Sequence, residues 1–287
     1  MKKQTRTVAA GVLLLMILTV LFSSCSATGS NAPEYKDNAD GCGLYRYTSS
    51  STETAFTVPD THAGKPVTEL MDFCLANAEY LTEIHIGKNV KTIGIWAMTN
   101  CQNLEAIYVS EENPYFKSID GVLYNKDMTQ LLVYPNAKSK IVTDESGNTS
   151  GGEFVVPDTV KSIRANAFYL CGNLRSITFN EGLEAVGDKA FLKCGGLESL
   201  ALPSTLVEIG TDAFSYLDNA KLTVIEIPAS VEKIGDYAFF SSSSSVEKVI
   251  VHKNSAADLE LGKDWLPNQK NAINKEAPVE FVGEGNG

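Results

Sequence analysis

The sequence predicts an α/β solenoid, in which parallel strands stack along the chain and short helical or irregular turns connect them. The main observation is a segment that recurs in register, with steps of 23, 25 and 24 residues, at Leu174, Leu197, Leu222 and Val246. A second observation is an earlier copy at Leu81, which is followed by another at Leu104. Because no single copy can bury its own apolar face, neighbouring copies must stack to form a core.

Each copy begins with a strand. In the pattern Leu-x-x-Ile-x-Ile the apolar residues alternate near the end, as in Leu174, Ile177 and Phe179, which predicts a strand with one buried face. Proline ends several of these strands because it lacks a backbone donor and fixes φ. The prolines are Pro59, Pro157, Pro203 and Pro228.

A turn region follows each strand. The pattern Val-x-x-Ile-Gly, as in Val231, Ile234 and Gly235, predicts an inward apolar pair before a tight turn. The next pattern, Ala-Phe-x-x-Cys-x-x-Leu, has a spacing that fits a short helical turn plugging the core. Its phenylalanines form one predicted column of Phe168, Phe191, Phe214 and Phe239.

These motifs resemble the BspA-like leucine-rich repeat family of bacterial surface proteins. The resemblance rests on VGDKAFLKCGGL at 186–197 and LTVIEIP at 222–228, and it covers nearly all of 43–253. It implies a leucine-rich repeat solenoid and a cell-surface role in adhesion to host matrix proteins or other cells. Three departures are Met98 in the phenylalanine column, Cys74-Leu75 in place of Ala-Phe, and Arg164 in place of glycine.

The solenoid is predicted to occupy 44–253, including an N-terminal cap and a long inserted unit at 104–153. That unit contains a predicted hairpin near residues 122–134. Its last residues, 143–153, have the composition of a flexible surface loop. We expect 254–287 to form a C-terminal cap and tail with a last strand near Val279.

The N-terminus has the pattern of an exported lipoprotein. Basic residues precede the apolar stretch 8–22, which is too short to span a bilayer and favours a signal peptide over 1–24. Leu21–Cys25 resembles a lipoprotein processing box, although Phe22 departs from it, so Cys25 is the expected lipidation site. The alternative is an ordinary cleaved signal peptide. The polar segment 25–43 is predicted to be a flexible tether.

The location follows from this reading. We expect the protein to be exported and attached to the bacterial cell surface only through the lipid on Cys25. A diacylated cysteine at this position would supply the more than one acyl chain that stable anchoring requires.

The net charge of the chain limits the classes of partner that are expected. The full chain has 24 basic and 35 acidic residues, a net charge of −11. Removal of 1–24 takes away three basic residues, which leaves 21 against 35 and a net charge of −14. Nucleic acid is not an expected partner, because phosphate binding requires clustered Lys and Arg. We expect a monomer that binds a protein or a glycan.

The cysteines are predicted to be structural. Cys101, Cys171 and Cys194 share one turn column and Cys74 takes the alanine column, so each is explained as a small buried side chain. Cys42 lies outside the register and could be free or bonded.

No enzyme, cofactor or metal site is expected. The only histidines are His62, His85 and His252, and the sequence places none of them beside a particular cysteine as a catalytic base. Cys-x-x-Cys and His-x-x-x-His spacings do not occur.

The predicted functional surface is the strand face, whose outward residues form columns across successive repeats. His85 and Tyr108 are the strongest candidates because exposed aromatic residues are enriched at binding sites. The full candidate set is Glu83, His85, Tyr108, Thr178, Glu226 and Lys248. The plainer interpretation is that these positions merely tolerate solvent. The function predicted is recognition or adhesion toward a host extracellular-matrix protein, another cell-surface protein or a glycan; the alternative is a structural spacer or envelope scaffold without a dedicated ligand.

Overall fold

Short parallel strands, stacked repeat upon repeat, form the architecture of the chain. The computed structural model describes residues 32–143, 145–146, 149–217, 221–240, 246–266 and 278–283. The predicted signal peptide 1–24 and the lipidation site Cys25 lie outside these residues. The parallel-strand solenoid expected from the repeats is therefore confirmed for the part of the chain that the structure describes.

The strands of the first half include the N-terminal cap and the inserted unit. They are β1 (Glu34–Asn38), β2 (Gly41–Arg46), β3 (Ala55–Thr57), β4 (Thr61–His62), β5 (Lys65–Leu70), β6 (Glu83–Ile86), β7 (Thr92–Ile93), β8 (Ala106–Val109), β9 (Phe116–Ile119), β10 (Val122–Asn125) and β11 (Gln130–Val133).

The strands of the second half follow the repeats. They are β12 (Val142–Thr143), β13 (Thr149–Ser150), β14 (Glu153–Val155), β15 (Ser162–Ile163), β16 (Ser176–Thr178), β17 (Ala185–Val186), β18 (Glu208–Ile209), β19 (Val224–Ile227), β20 (Lys233–Ile234), β21 (Lys248–Val251), β22 (Glu260–Leu261) and β23 (Val279–Phe281). The single helix among the described residues is a 3₁₀ turn at Ala256–Asp258.

The repeats form two sets of parallel ladders, and the repeat that starts at Leu197 has a strand only in the second set, β18. The Leu-x-x-Ile-x-Ile strands pair in parallel as β3-β6-β8, β14-β16 and β19-β21-β23. The Ile-Gly segments form a second, continuous parallel ladder through β11, β15, β17, β18, β20 and β22. The first ladder is the predicted strand face.

The turns are irregular, so the helical alternative for Ala-Phe-x-x-Cys is wrong. Lys189 and Lys193 both have left-handed backbone, with φ of 57° and 63°, and such residues interrupt a right-handed helix. The backbone N–H groups of the turn donate either to a carbonyl of the next repeat or to a carbonyl of their own turn. The Phe191 N–H donates to Ala213 O of the next repeat at 2.8 Å, and the Cys194 N–H donates to Phe191 O of its own turn at 3.1 Å.

The predicted phenylalanine column is confirmed as the centre of the core. Its four rings stack at centroid separations of 4.6, 5.1 and 5.4 Å along Phe168, Phe191, Phe214 and Phe239. All four are at most 1% exposed. Close stacking of the repeats also explains the glycine column, because a Cβ on Gly210 would lie 2.5 Å from the Asp188 backbone nitrogen.

The tether predicted over 25–43 is wrong in its second half. Strand β1 pairs antiparallel with β2, and the Tyr35 ring stacks on His62 with centroids 4.0 Å apart. Composition could not show this because the partner ring comes from a later turn. His62 lies in the short strand β4, which pairs antiparallel with β5.

The inserted unit contains the predicted hairpin, since β10 pairs antiparallel with β11. It also contains β9, which was not foreseen and pairs antiparallel with β10. The segment 143–153, expected to be a loop, contributes to the small hairpin β12-β13 and begins β14.

The repeat continues beyond the predicted boundary at 253. Strand β22 extends the second ladder, and Asp264 takes the left-handed position held by Tyr237 one turn earlier. Trp265 takes the alanine column, because it accepts from the Phe239 N–H at 3.0 Å. Because Trp265 replaces the alanine of the Ala-Phe motif, the sequence pattern did not reveal this copy. The last strand near Val279 is confirmed as β23, parallel to β21.

Candidate binding face

The strand face is built by alternation along each strand. In β6, Ile84 and Ile86 are buried in the core, and the residues beside them point outward. The parallel register places His85 opposite Tyr108. It also places Thr57 of β3 opposite His85, so the column begins one repeat earlier than the sequence indicated.

His85 and Tyr108 form an exposed aromatic pair. Their rings are 5.0 Å apart between centroids and inclined by 29°. Tyr108 is 43% exposed, and His85 Nε2 lies 3.2 Å from a carboxylate oxygen of Glu83. Three predicted site residues therefore come together.

The pair lines an open groove of about 380 Å³. Asp60 and Ser110 contribute polar groups to its wall, and Pro59 and Ile86 contribute apolar surface. A few polar groups among apolar and aromatic ones are typical of ligand sites. The groove can accept a planar or apolar group against the rings and hydrogen-bond donors at Asp60.

The predicted column is interrupted after Tyr108. Thr178 pairs with Val155 of β14, and the inserted unit lies between Tyr108 and these two residues in the chain. The six candidates therefore lie in three separate sheets, which corrects the prediction of columns that run unbroken across successive repeats. Thr178 lies in the small sheet β14-β16, which is separate from the sheet that holds Glu83, His85 and Tyr108.

The last two candidates lie in the third sheet. Glu226 faces Ile250 across the β19-β21 ladder, and Lys248 faces Val224. Glu226 lies 3.4 Å from His252. Lys248 forms an ion pair with Glu280, a residue of β23 that sequence reasoning missed as part of the face because it falls outside the repeat.

A polar groove at the start of the C-terminal strands was also missed. It has a volume of about 670 Å³ and is lined by Glu153, Arg175, Glu198 and Lys221, among others. The Lys221 ammonium, 2.7 Å from the Glu198 carboxylate, lowers the pKa of Glu198 by hydrogen bonding. The sequence signal was present, because Arg175 and Glu198 directly follow the first leucine of successive repeats.

The five described cysteines are free and buried, which confirms structural thiols in the turn column and shows Cys42 unbonded. Burial raises the pKa of Cys101 to about 11 and that of Cys74 to about 12. The Cys194 thiol donates to Phe168 O at 3.0 Å. Such thiols stay protonated near neutral pH, so they are poor nucleophiles.

Within the part of the chain that the structure describes, no group of three or more His, Cys, Asp or Glu is placed to hold a metal ion. No helix there has the length and apolar character needed to cross a membrane.

Comparison with protein-family models gives a match over most of the chain. A model described as the BspA type leucine rich repeat region matches residues 19–144 and 146–258, with six copies. A search among curated proteins gives no significant match.

Several solved structures are similar. The pneumococcal vaccine antigen PcpA is 24% identical, with a TM-score of 0.60, over 79% of this chain and 51% of that one. This chain thus spans about half the length of PcpA. A leucine-rich repeat protein from T. pallidum is 21% identical over 90% and 100% of the two chains, with a TM-score of 0.40. One from Eubacterium ventriosum is 19% identical over 85% and 87%, with a TM-score of 0.48.

Proposed function

Since the chain belongs to the BspA-type leucine-rich repeat family, we propose that it is a bacterial cell-surface recognition protein that binds a protein or glycan partner through its strand face. Solenoids of stacked repeats use such extended faces for binding. The proposed activity is binding of a partner, with no catalytic step. Its partner would be a host extracellular-matrix component or a molecule on another cell.

The exposed His85–Tyr108 pair carries this proposal. Two stacked rings that remain open to solvent beside a groove of about 380 Å³ offer a ready contact surface. Aromatic residues supply much of the binding energy at interfaces when a partner covers them. Neither ring is needed to fill the core, because Ile84 and Ile107 are the buried residues at this level.

The test is the double variant His85→Ser/Tyr108→Ser in the purified protein, assayed against arrays of host matrix proteins and glycans. We expect a loss of affinity of about tenfold or more for the partner found. A matched control is His62→Ser/Tyr115→Ser, which removes the same two side-chain types outside the groove; Tyr115 is 44% exposed. Equal binding by both variants, or no saturable binding by the native protein, would favour the scaffold alternative.

The proposed attachment through Cys25 has its own test. Cys25→Ser is expected to move the protein from the membrane fraction to the soluble fraction of cells, because the lipid chains are lost. Retention of the variant in membranes would contradict a lipid anchor and leave the binding proposal unaffected.

A further inference from the structure

Three aromatic rings make a chain of contacts on the turns, on the two sides of the inserted unit. The Phe73 ring stacks on Trp96 with centroids 6.0 Å apart and planes inclined by 5°. The Trp96 and Tyr169 rings meet edge to face at 5.7 Å. Phe73 is 58% exposed, and Ile95 beside Trp96 is 48% exposed. These four residues form an apolar surface open to solvent, here called the turn-face patch.

Phe73 is unusual in both conformation and exposure. Its φ of 61° lies in the left-handed region, which bulky residues seldom occupy. Asn166, Lys189 and Asp212 hold the same position, directly before the alanine column, in later turns. The Phe73 ring is mostly exposed and belongs to neither core, so packing does not account for phenylalanine at this position. Backbone outliers of this kind are concentrated at functional sites.

A small notch adjoins the patch where the inserted unit separates the two neighbouring turns. Its volume is about 20 Å³, and its walls include Ile95, Thr99, Asn166 and Tyr169. A cavity of this size holds about one water-sized group. A hydroxyl group therefore fits into the notch, whereas the side chain of a peptide ligand does not.

Polar atoms at the notch are available to a ligand. Among the described residues, Thr99 Oγ1 and Asn166 Oδ1 are buried and have no hydrogen-bond partner. Burial of such an atom without a partner is unfavourable, and a hydroxyl group in the notch would donate to one of them. The Trp96 indole N–H is a further donor at the patch, and the Tyr169 hydroxyl can both donate and accept.

The lining of the notch is uncharged. Asp72 and Arg164 adjoin the site, but both are bonded to the backbone. Asp72 Oδ1 accepts the Trp96 N–H at 3.4 Å, and the Arg164 guanidinium donates to Ile93 O at 2.6 Å. A neutral ligand is therefore the better match, because an ion would leave water for a site lined by uncharged groups.

We propose that the turn-face patch binds a neutral saccharide, with one sugar hydroxyl in the notch. The faces of aromatic rings are electron-rich and attract the weakly positive C–H groups on the flat face of a sugar ring. The hydroxyl groups at the edge of the sugar match the donors and acceptors of the site. This is a second binding site, on the turns, which goes beyond the proposed function and does not depend on the strand face.

Nuclear magnetic resonance tests the site directly, because the chain has two tryptophans, Trp96 in the patch and Trp265 near the C-terminal end. The probes are cellotetraose, maltotetraose and mannotetraose, titrated into the isotope-labelled protein. We expect at least one of them to shift the Trp96 indole signal with a dissociation constant below about 5 mM, while the Trp265 indole signal stays in place. Tetragalacturonate, which carries a carboxylate on each sugar, is the charged control and should bind at least about fivefold more weakly.

Variants test the parts of the site, with binding followed by backbone amide shifts. Phe73→Ser and Trp96→Ala each remove a ring and should weaken the bound tetrasaccharide by about fivefold or more. Tyr115→Ser removes a ring that is 44% exposed outside the patch and should change nothing. Thr99→Val keeps the shape of the side chain and removes only the unpartnered hydroxyl. It should keep full stability in urea unfolding and weaken binding by about threefold.

The inference would be overturned if none of the three tetrasaccharides shifted the Trp96 signal, or if Phe73→Ser and Trp96→Ala both bound normally. Stronger binding of tetragalacturonate, or of the proline-rich peptide Ala-Pro-Pro-Ala-Pro-Pro, than of every tetrasaccharide would also overturn it. His85→Ser/Tyr108→Ser should bind the tetrasaccharide normally, and loss of binding in that variant would assign the sugar to the strand face instead. Failure of the saccharide probes leaves the strand-face proposal unaffected.

Discussion

Replacing Phe191 by alanine should destabilise the protein more than the same change at Phe239. Both rings are at most 1% exposed, so the burial and cavity contributions to each are similar, at about 3–5 kcal/mol. They differ in ring contacts. Phe191 stacks on Phe168 and Phe214 at 4.6 and 5.1 Å and meets Phe179 edge-on at 5.8 Å.

Phe239, in contrast, has one ring partner among the described residues, Phe214 at 5.4 Å. Each aromatic pair contributes about 0.5–1.5 kcal/mol beyond burial. The two additional pairs at Phe191 therefore predict a free-energy difference of about 1–3 kcal/mol between the two alanine variants.

The measurement is urea unfolding followed by circular dichroism and by tryptophan fluorescence, since Trp96 and Trp265 report on opposite ends of the repeat array. Both probes are needed because repeat arrays can unfold in parts. Phe191→Leu is the control, and it should recover most of the loss because it refills the cavity. Equal destabilisation by the two alanine variants would refute the idea that continuous ring stacking holds the repeats together.

Two further predictions concern the turns. Gly210→Ala should destabilise the protein by about 2 kcal/mol or more, because its Cβ would meet backbone of the preceding turn, while Gly172→Ala, which has open space around it, should be nearly neutral in the same urea assay; similar effects would contradict the close-stacking argument. The raised pKa of Cys101 in the folded state, about 11 against about 8.5 unfolded, means that stability is full below about pH 8.5 and falls as pH rises toward 11. Cys101→Ala should reduce that loss, measured as urea midpoints between about pH 7 and pH 10; an unchanged pH dependence would count against the buried thiol.

The sequence correctly predicted the contacts between side chains of neighbouring repeats that have equal length. His85 and Tyr108 were placed side by side because 23 residues separate them, the length of one regular turn. Thr178 was misplaced because the inserted unit separates the two blocks, and side-chain alternation does not say which strands pair across it. The spacing of Ala-Phe-x-x-Cys could not separate a helix from the observed turn, since both bury residues at similar intervals.

Arg164 shows why a departure from the repeat can be structural. In the other repeats the glycine after isoleucine or valine faces a turn of the previous repeat, as Gly187 does after Val186, where a Cβ would lie 2.6 Å from the Ala165 nitrogen. At Arg164 the previous neighbour is strand β11 of the inserted unit, whose Leu131 O accepts the Arg164 N–H at 2.9 Å. A side chain therefore fits there, and the guanidinium donates to Ile93 O at 2.6 Å. Because Ile93 belongs to the N-terminal core and the isoleucine beside Arg164 to the C-terminal one, this residue ties the two cores together where the insertion interrupts the regular stacking. The requirement for glycine thus comes from the neighbouring repeat, and an insertion that changes the neighbour removes the requirement.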